Sequence, residues 1–159
     1  MDALAMLKQQ HQEVDELFAR LQQADEEERI TLLGQISEKL TIHAEIEERH
    51  FYPFARRMGI QDMVDRSLQE HAEVRMLISE ILQLKRHDPR IMQDAMTLMT
   101  SVQSHVKEEE ETLFPRLAGL ASAEDLRNVG MEMRRTMDEL SQQELLKMAE
   151  HEGSNLMPE

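Results

Sequence analysis

Two His-x-x-x-Glu pairs, His43 with Glu47 and His105 with Glu109, stand 62 residues apart in this chain. A lone histidine precedes each pair, His11 and His71, and these are 60 residues apart. A step of four residues stacks two side chains on one face of an α-helix, within about 40° at about 100° per residue. The pairs therefore call for helix, and their doubling calls for two equivalent helical halves.

Following the same 3–4 spacing outward from each histidine gives four stripes. The first reads Leu4, Leu7, His11, Val14, Phe18, Leu21. The second reads Leu33, Ile36, Leu40, His43, Glu47, His50, Phe54, and the third Val64, Leu68, His71, Ile78, Leu82. The fourth is Ile91, Ala95, Leu98, Val102, His105, Glu109, Thr112. Each helix places a histidine on its core-facing seam, and two helices add a glutamate.

Punctuation sets the ends. The first helix runs over about 2–23; Asp25 with Glu28 is a capping pair opening a second to about 58, with Pro53 as a kink and Gly59 as a stop. A third covers about 61–86, and His87-Asp88-Pro89 is a break before a fourth that reaches about 117. Short connections make consecutive helices antiparallel. The expected fold is all-α: an up-down four-helix bundle over 1–118, with an additional C-terminal amphipathic helix of the same domain over 119–150 and a flexible tail over 151–159. The fifth helix, with Leu126, Val129, Met133, Met137 and Leu140, either caps the bundle or packs on a second subunit.

Only five Gly and four Pro interrupt a chain that is 40% hydrophobic, which disfavours strands joined by tight turns. No stretch approaches the roughly 18 to 20 apolar residues of a membrane span, and no signal-peptide pattern opens the chain, so a soluble cytoplasmic protein is expected. A net charge of −14 lacks the basic footprint of nucleic-acid binding. The absence of cysteine excludes disulfides, iron–sulfur clusters and thiolate sites, leaving His and carboxylate as metal ligands.

A buried unpaired carboxylate is costly, and this seam carries two. A hydrogen-bonded network of core histidines and glutamates is the plain explanation for one such residue. Four histidines from four helices, with two glutamates, favour a metal pair instead. Each glutamate can bridge two cations while histidines from opposite helices terminate each. Two six-coordinate metals offer about twelve positions, of which the six side chains and a solvent-derived oxo or hydroxo bridge fill all but about two. Imidazole and carboxylate suit iron, manganese or zinc.

The pattern His11, His43-x-x-x-Glu47, His71, His105-x-x-x-Glu109 resembles the hemerythrin-like (HHE cation-binding) family. The flanks agree: His43-Ala-Glu-Ile-Glu47-Glu48 with Phe51-Tyr52-Pro53 matches His105-Val-Lys-Glu-Glu109-Glu110 with Leu113-Phe114-Pro115. The resemblance implies a non-haem di-iron centre of two iron ions, bridged by Glu47 and Glu109, with the four histidines terminal. It also implies a small diatomic ligand or peroxide as partner: dioxygen, peroxide or nitric oxide. The oxygen-carrying members have a fifth histidine four residues after the third-helix ligand, where this chain has Arg75. Their second bridging carboxylate is an aspartate five residues after its histidine, whereas Glu109 follows His105 by four. Iron-repair members carry an N-terminal segment with Cys, which is absent here. These departures point away from a pure oxygen carrier and a full repair protein.

His50 lies on the seam seven residues beyond His43. It either takes the place of the missing fifth histidine, bonds a bound oxygen species, or is a core histidine bonded to a neighbouring backbone or glutamate. Tyr52 and the methionines are expected to pack, and Glu108, Glu110 and Glu111 to form a solvated face from which one could substitute as a ligand. The leading expectation is a di-iron protein that binds or turns over a small oxidant under oxidative or nitrosative stress. A sensor or interaction module, and a metal store without turnover, are the alternatives. A homo-oligomer through the C-terminal helix is an open possibility.

Overall fold

The computed structural model describes residues 1–151, and its regular elements are helical. Helix α1 is Ala3–Gln23, α2 is Glu26–Ile46, α3 is Tyr52–Arg57 and α4 is Gln61–Leu82. Helix α5 is Arg90–Glu108, α6 is Phe114–Leu120 and α7 is Ala123–His151. Two π-helical turns, Glu47–Phe51 and Glu109–Leu113, join α2 to α3 and α5 to α6. With each π turn counted into its rod, the chain is the expected four-helix bundle plus a fifth helix. The expected tail lies outside the described residues, except that His151 closes α7.

Local chemistry fixes the ends. The Asp2 carboxylate accepts from the Ala5 N–H at 2.9 Å and the Asp25 carboxylate from the Glu28 N–H at 2.8 Å, each satisfying an orphan donor of a first turn. Gly59 ends α3 at φ +92, a conformation that penalises a Cβ. The Ile60 and Gly59 N–H groups return to the carbonyls of Ala55 and Arg56, and the buried Ile60 side chain closes this C-cap. Helix α4 ends at Leu82 rather than near residue 86, and Asp88 accepts from the Arg90 N–H at the start of α5.

The prolines do more than kink the rods. Pro53 has no N–H, and its ring would meet the carbonyl four residues back, on Arg49. The helix widens instead, and the Tyr52 N–H bonds to the Glu47 carbonyl five residues back. Pro115 does the same in the second half, where the Phe114 N–H reaches the Glu109 carbonyl. Both π turns begin on the seam glutamates.

Helices α1, α2, α4 and α5 enclose the core, and α7 lies across α1, α2 and the first π turn. The apolar stripe of α7, with Leu126, Val129 and Met133 buried, is thus used on its own bundle. Close approach requires Gly130, where an added Cβ would stand 2.9 Å from the Ala3 nitrogen. The buried apolar residues form two clusters, one around Phe18, Leu33, Ile36 and Leu98, the other around Leu7, Phe51, Phe114 and Leu117. The polar seam residues lie between them.

Candidate metal centre

The structure brings His11, His43, Glu47, His71, His105 and Glu109 into one buried layer. Their inward atoms form two groups, His11–His43–Glu47–Glu109 and Glu47–His71–His105, each with ligand atoms within 4.8 Å of one another. The imidazoles meet in pairs through Nε2, His11 with His43 at 3.2 Å and His71 with His105 at 3.2 Å. Each glutamate spans both pairs. Glu47 Oε1 lies 3.1 Å from His43 Nε2 and 3.0 Å from His71 Nε2. Glu109 Oε1 lies 3.2 Å from His11 Nε2 and 3.5 Å from His105 Nε2.

The outer nitrogens are all engaged. His11 Nδ1 is 2.7 Å from Glu110 Oε2, His43 Nδ1 is 2.7 Å from Gln10 Oε1, His71 Nδ1 is 2.8 Å from Glu48 Oε2, and His105 Nδ1 is 2.7 Å from Glu70 Oε1. An acceptor on Nδ1 places the ring proton there and turns the Nε2 lone pair inward, the arrangement a cation-binding imidazole needs. Sequence reasoning missed this layer. Glu110, still 34% exposed, also holds His11, whereas Glu108 pairs outward with Arg66 at 3.1 Å. The signal was present: Gln10 and Glu70 each precede a lone histidine, and Glu48 and Glu110 each follow a seam glutamate.

Tyr52, expected to be packing, is a polar member of the site. Its hydroxyl donates to Glu109 Oε2 at 2.6 Å and stands 3.1 Å from His71 Nε2 and 3.2 Å from Glu47 Oε1. His50 points the other way, with Nε2 2.7 Å from Thr136 Oγ1 on α7 and Nδ1 3.7 Å from Glu132. It therefore stands outside the cluster and reaches neither pair of imidazoles. Arg75, at the position of the missing fifth histidine, pairs with Glu48 at 2.8 Å and Glu45 at 3.6 Å.

The electrostatics are those of a site built for positive charge. Burial works against charge on His11, but the hydrogen bond and charge of Glu109, with Glu47 and Glu110 behind it, raise its pKa to about 9. His71 is likewise raised to about 9 against its burial, chiefly by Glu47 and then Glu48. Burial pushes Glu47 up, yet the imidazoles of His43 and His71 hold it well below the usual carboxylate range. Tyr52 is pushed well above the usual phenol value by burial and by the Glu109 and Glu47 charges. Glu47 and Glu109 are 0% and 1% exposed, and among the described residues Glu47 Oε2 finds no hydrogen-bond donor. Buried carboxylates beside four inward imidazole nitrogens make a donor set suited to a bound cation.

A helical bundle with a buried His/Glu cluster aimed at positive charge defines a cation-binding four-helix protein. Residues 2–117 match the model of the hemerythrin HHE cation-binding domain, and the chain belongs to that family. The matched span takes in α1 to α5, both π turns and most of α6. A hemerythrin HHE cation binding domain-containing protein from Mycobacterium kansasii has the same fold, with a TM-score of 0.85 at 23% identity over 98% of this chain and 96% of that one. A protein named DNA nickase from Nostoc sp. (strain PCC 7120 / SAG 25.82 / UTEX 2576) is 28% identical over 143 residues. That alignment takes in 89% of this chain but only 41% of the Nostoc protein. Among the described residues no helix is long and apolar enough to cross a membrane.

Proposed function

We propose that this protein is a hemerythrin-like non-haem di-iron protein that binds or reacts with a small oxidant, whether dioxygen, peroxide or nitric oxide. His11 and His43 would hold one iron, His71 and His105 the other, and Glu47 and Glu109 would bridge them. The observation that carries this reading is the paired Nε2 geometry, with each glutamate reaching an imidazole of both pairs. Iron, when bound, supplies exchangeable electrons and a Lewis-acidic position for a small ligand.

The chain's own residues do the rest. The acceptors on the four Nδ1 atoms fix ring orientation and tautomer. Phe51, Phe114 and Leu113 on one side and Leu40 and Val102 on the other keep water from the layer. The Tyr52 hydroxyl holds a proton at Glu109 Oε2, beside His71, and a tyrosine held so far above its usual pKa donates rather than ionises. Arg75 replaces a further imidazole with a cation aimed at Glu48, which favours reaction or sensing over reversible oxygen carriage. The nicking activity in the name of the Nostoc relative is not part of this reading, because a net charge of −14 opposes approach to DNA. Incubated with supercoiled plasmid, the protein is expected to leave it supercoiled.

Absorption spectroscopy on freshly purified, iron-loaded protein tests the proposal. A visible-region band that changes on addition of peroxide, dioxygen or nitric oxide supports it. An iron-loaded protein whose spectrum stays fixed with all three contradicts oxidant chemistry and leaves storage. A sensing role has one observation in its favour, the contacts of Met137 and Thr136 on α7 with Gln10 and His50. Partner capture that is the same under iron-replete and iron-depleted conditions would rule it out.

A further inference from the structure

The internal repeat breaks once in the layer behind the site. Gln10 precedes His11 as Glu70 precedes His71, and the two side chains hold equivalent rings, His43 and His105. Glu48 and Glu110 correspond in the same way, holding His71 and His11. Three imidazoles therefore give Nδ1–H to a carboxylate, and His43 alone gives it to a neutral amide. The orientation of that amide is set from outside the bundle. Gln10 Nε2 donates to Met137 Sδ on α7 at 3.1 Å, and a thioether only accepts, so the carbonyl oxygen is the end that faces His43.

The difference is electronic. A carboxylate draws the Nδ1 proton and strengthens the Nε2 lone pair, whereas a neutral carbonyl does so much less. Arg75 lessens the contrast without cancelling it, because Glu48 shares its charge with the guanidinium at 2.8 Å while Glu70 and Glu110 have no arginine or lysine partner among the described residues. The His11/His43 half has one full carboxylate and one amide behind it. The His71/His105 half has two carboxylates, Glu70, which lies against Glu108, and Glu48, which is shared with arginine.

Resting on the di-metal reading above, we propose that Gln10 makes the half-sites unequal, so that the cation at His11 and His43 is held more weakly and exchanges first. Gln10 is a positioning residue that acts through His43, and Met137 of α7 fixes its orientation. Gln10, His43 and Met137 also line a cavity of about 460 Å³ between α1, α2 and α7, whereas the cavity beside the other half reaches Glu70 but neither His71 nor His105.

The test is stepwise metal withdrawal. The full chain is loaded with Co²⁺, its stoichiometry is measured, and the cation is removed by a chromophoric chelator. The native protein is expected to release its metal in two phases of equal amplitude. Gln10→Glu slows the fast phase by about tenfold and leaves the slow one alone. Arg75→Gln, at an exposed position, frees Glu48 and slows the slow phase, widening the gap. Met137→Leu keeps the packing volume, removes the acceptor and speeds the fast phase. One release phase in the native protein, or an unchanged fast phase in Gln10→Glu, overturns the inference and leaves the di-metal reading intact. A native chain that takes up no cation pair overturns the di-metal reading itself. Should Gln10→Glu not fold, an unchanged slow phase in Arg75→Gln is enough to overturn the inequality.

Discussion

The two ends of the bundle are built differently on either side of the same polar layer. One end is aliphatic, with Val14, Leu21, Leu33, Ile36, Ile81 and Leu98 around a single ring, Phe18. The other gathers Phe51, Tyr52, Phe54 and Phe114 beneath α7 and includes four of the chain's five aromatic residues. The aliphatic end sits on uninterrupted α-helix, and the aromatic end follows the two π turns. Its rings also touch the site: Phe114 stacks on His11 at 6.0 Å between centroids, 6° from parallel, and Phe51 meets Phe114 edge-on at 5.5 Å. The difference separates two tasks that share one core. The aliphatic end supplies stability, and the aromatic end also shapes the centre.

Substitutions of similar cost at the two ends should therefore differ in what else they change. Phe114→Ala is expected to destabilise by about 3–5 kcal/mol and also to lower metal content in the folded fraction, since His11 loses its stacking partner. Ile36→Ala should cost about 2–5 kcal/mol with metal content per folded chain unchanged. Urea unfolding combined with metal analysis reads both quantities, and equal metal loss in the two variants would erase the distinction.

Tyr52→Phe is a finer cut at the aromatic end. It keeps the ring and removes the donor to Glu109, a bond to a charged group worth about 1.5–3 kcal/mol. The folded variant should retain its metals but respond differently to peroxide, and an unchanged response would return Tyr52 to packing.

Titration separates the polar layer from both ends. In the metal-free chain His11 and His71 are raised to about 9 from an ordinary 6.5, so their folded-state charge is the stabilising form. Their contribution is complete below about pH 6.5 and is lost as the pH rises through about 9. The urea midpoint of metal-free protein should fall across that window. Cation retention should improve across it, because cations displace those protons. A midpoint that rises instead would contradict the ion pairing assigned to His11 and His71.

The smallest effect is expected at His50. His50→Ala loses the bond to Thr136, about 0.5–1.5 kcal/mol, with metal content untouched. Any loss of metal from this variant would bring His50 back into the site.

Most of the fold was legible because the ligand spacing and the apolar stripes share the 3.6-residue period. Tyr52 and His50 depart from that period at the π turn. On an unbroken α-helix Tyr52, five residues after Glu47, would lie about 140° away from it, while His50, seven after His43, would lie about 20° away. The π turn opposite Pro53 closes five residues apart, which brings the Tyr52 hydroxyl back to Glu47 and rotates His50 onto α7. A proline read as a kink hid that extra residue. The supporting acceptors were missed for another reason: Gln10, Glu48, Glu70 and Glu110 lie one residue off the seam, where a charged helix face looks the same as a functional one.

Metal content per chain, measured on the native protein and on His43→Ala and His105→Ala, tests the central claim most directly. The native chain is expected to hold about two cations, and each variant, lacking one terminal imidazole from a different half, to lose most of its metal. Both variants retaining about two cations per chain would show that the His/Glu layer is not where this protein holds metal.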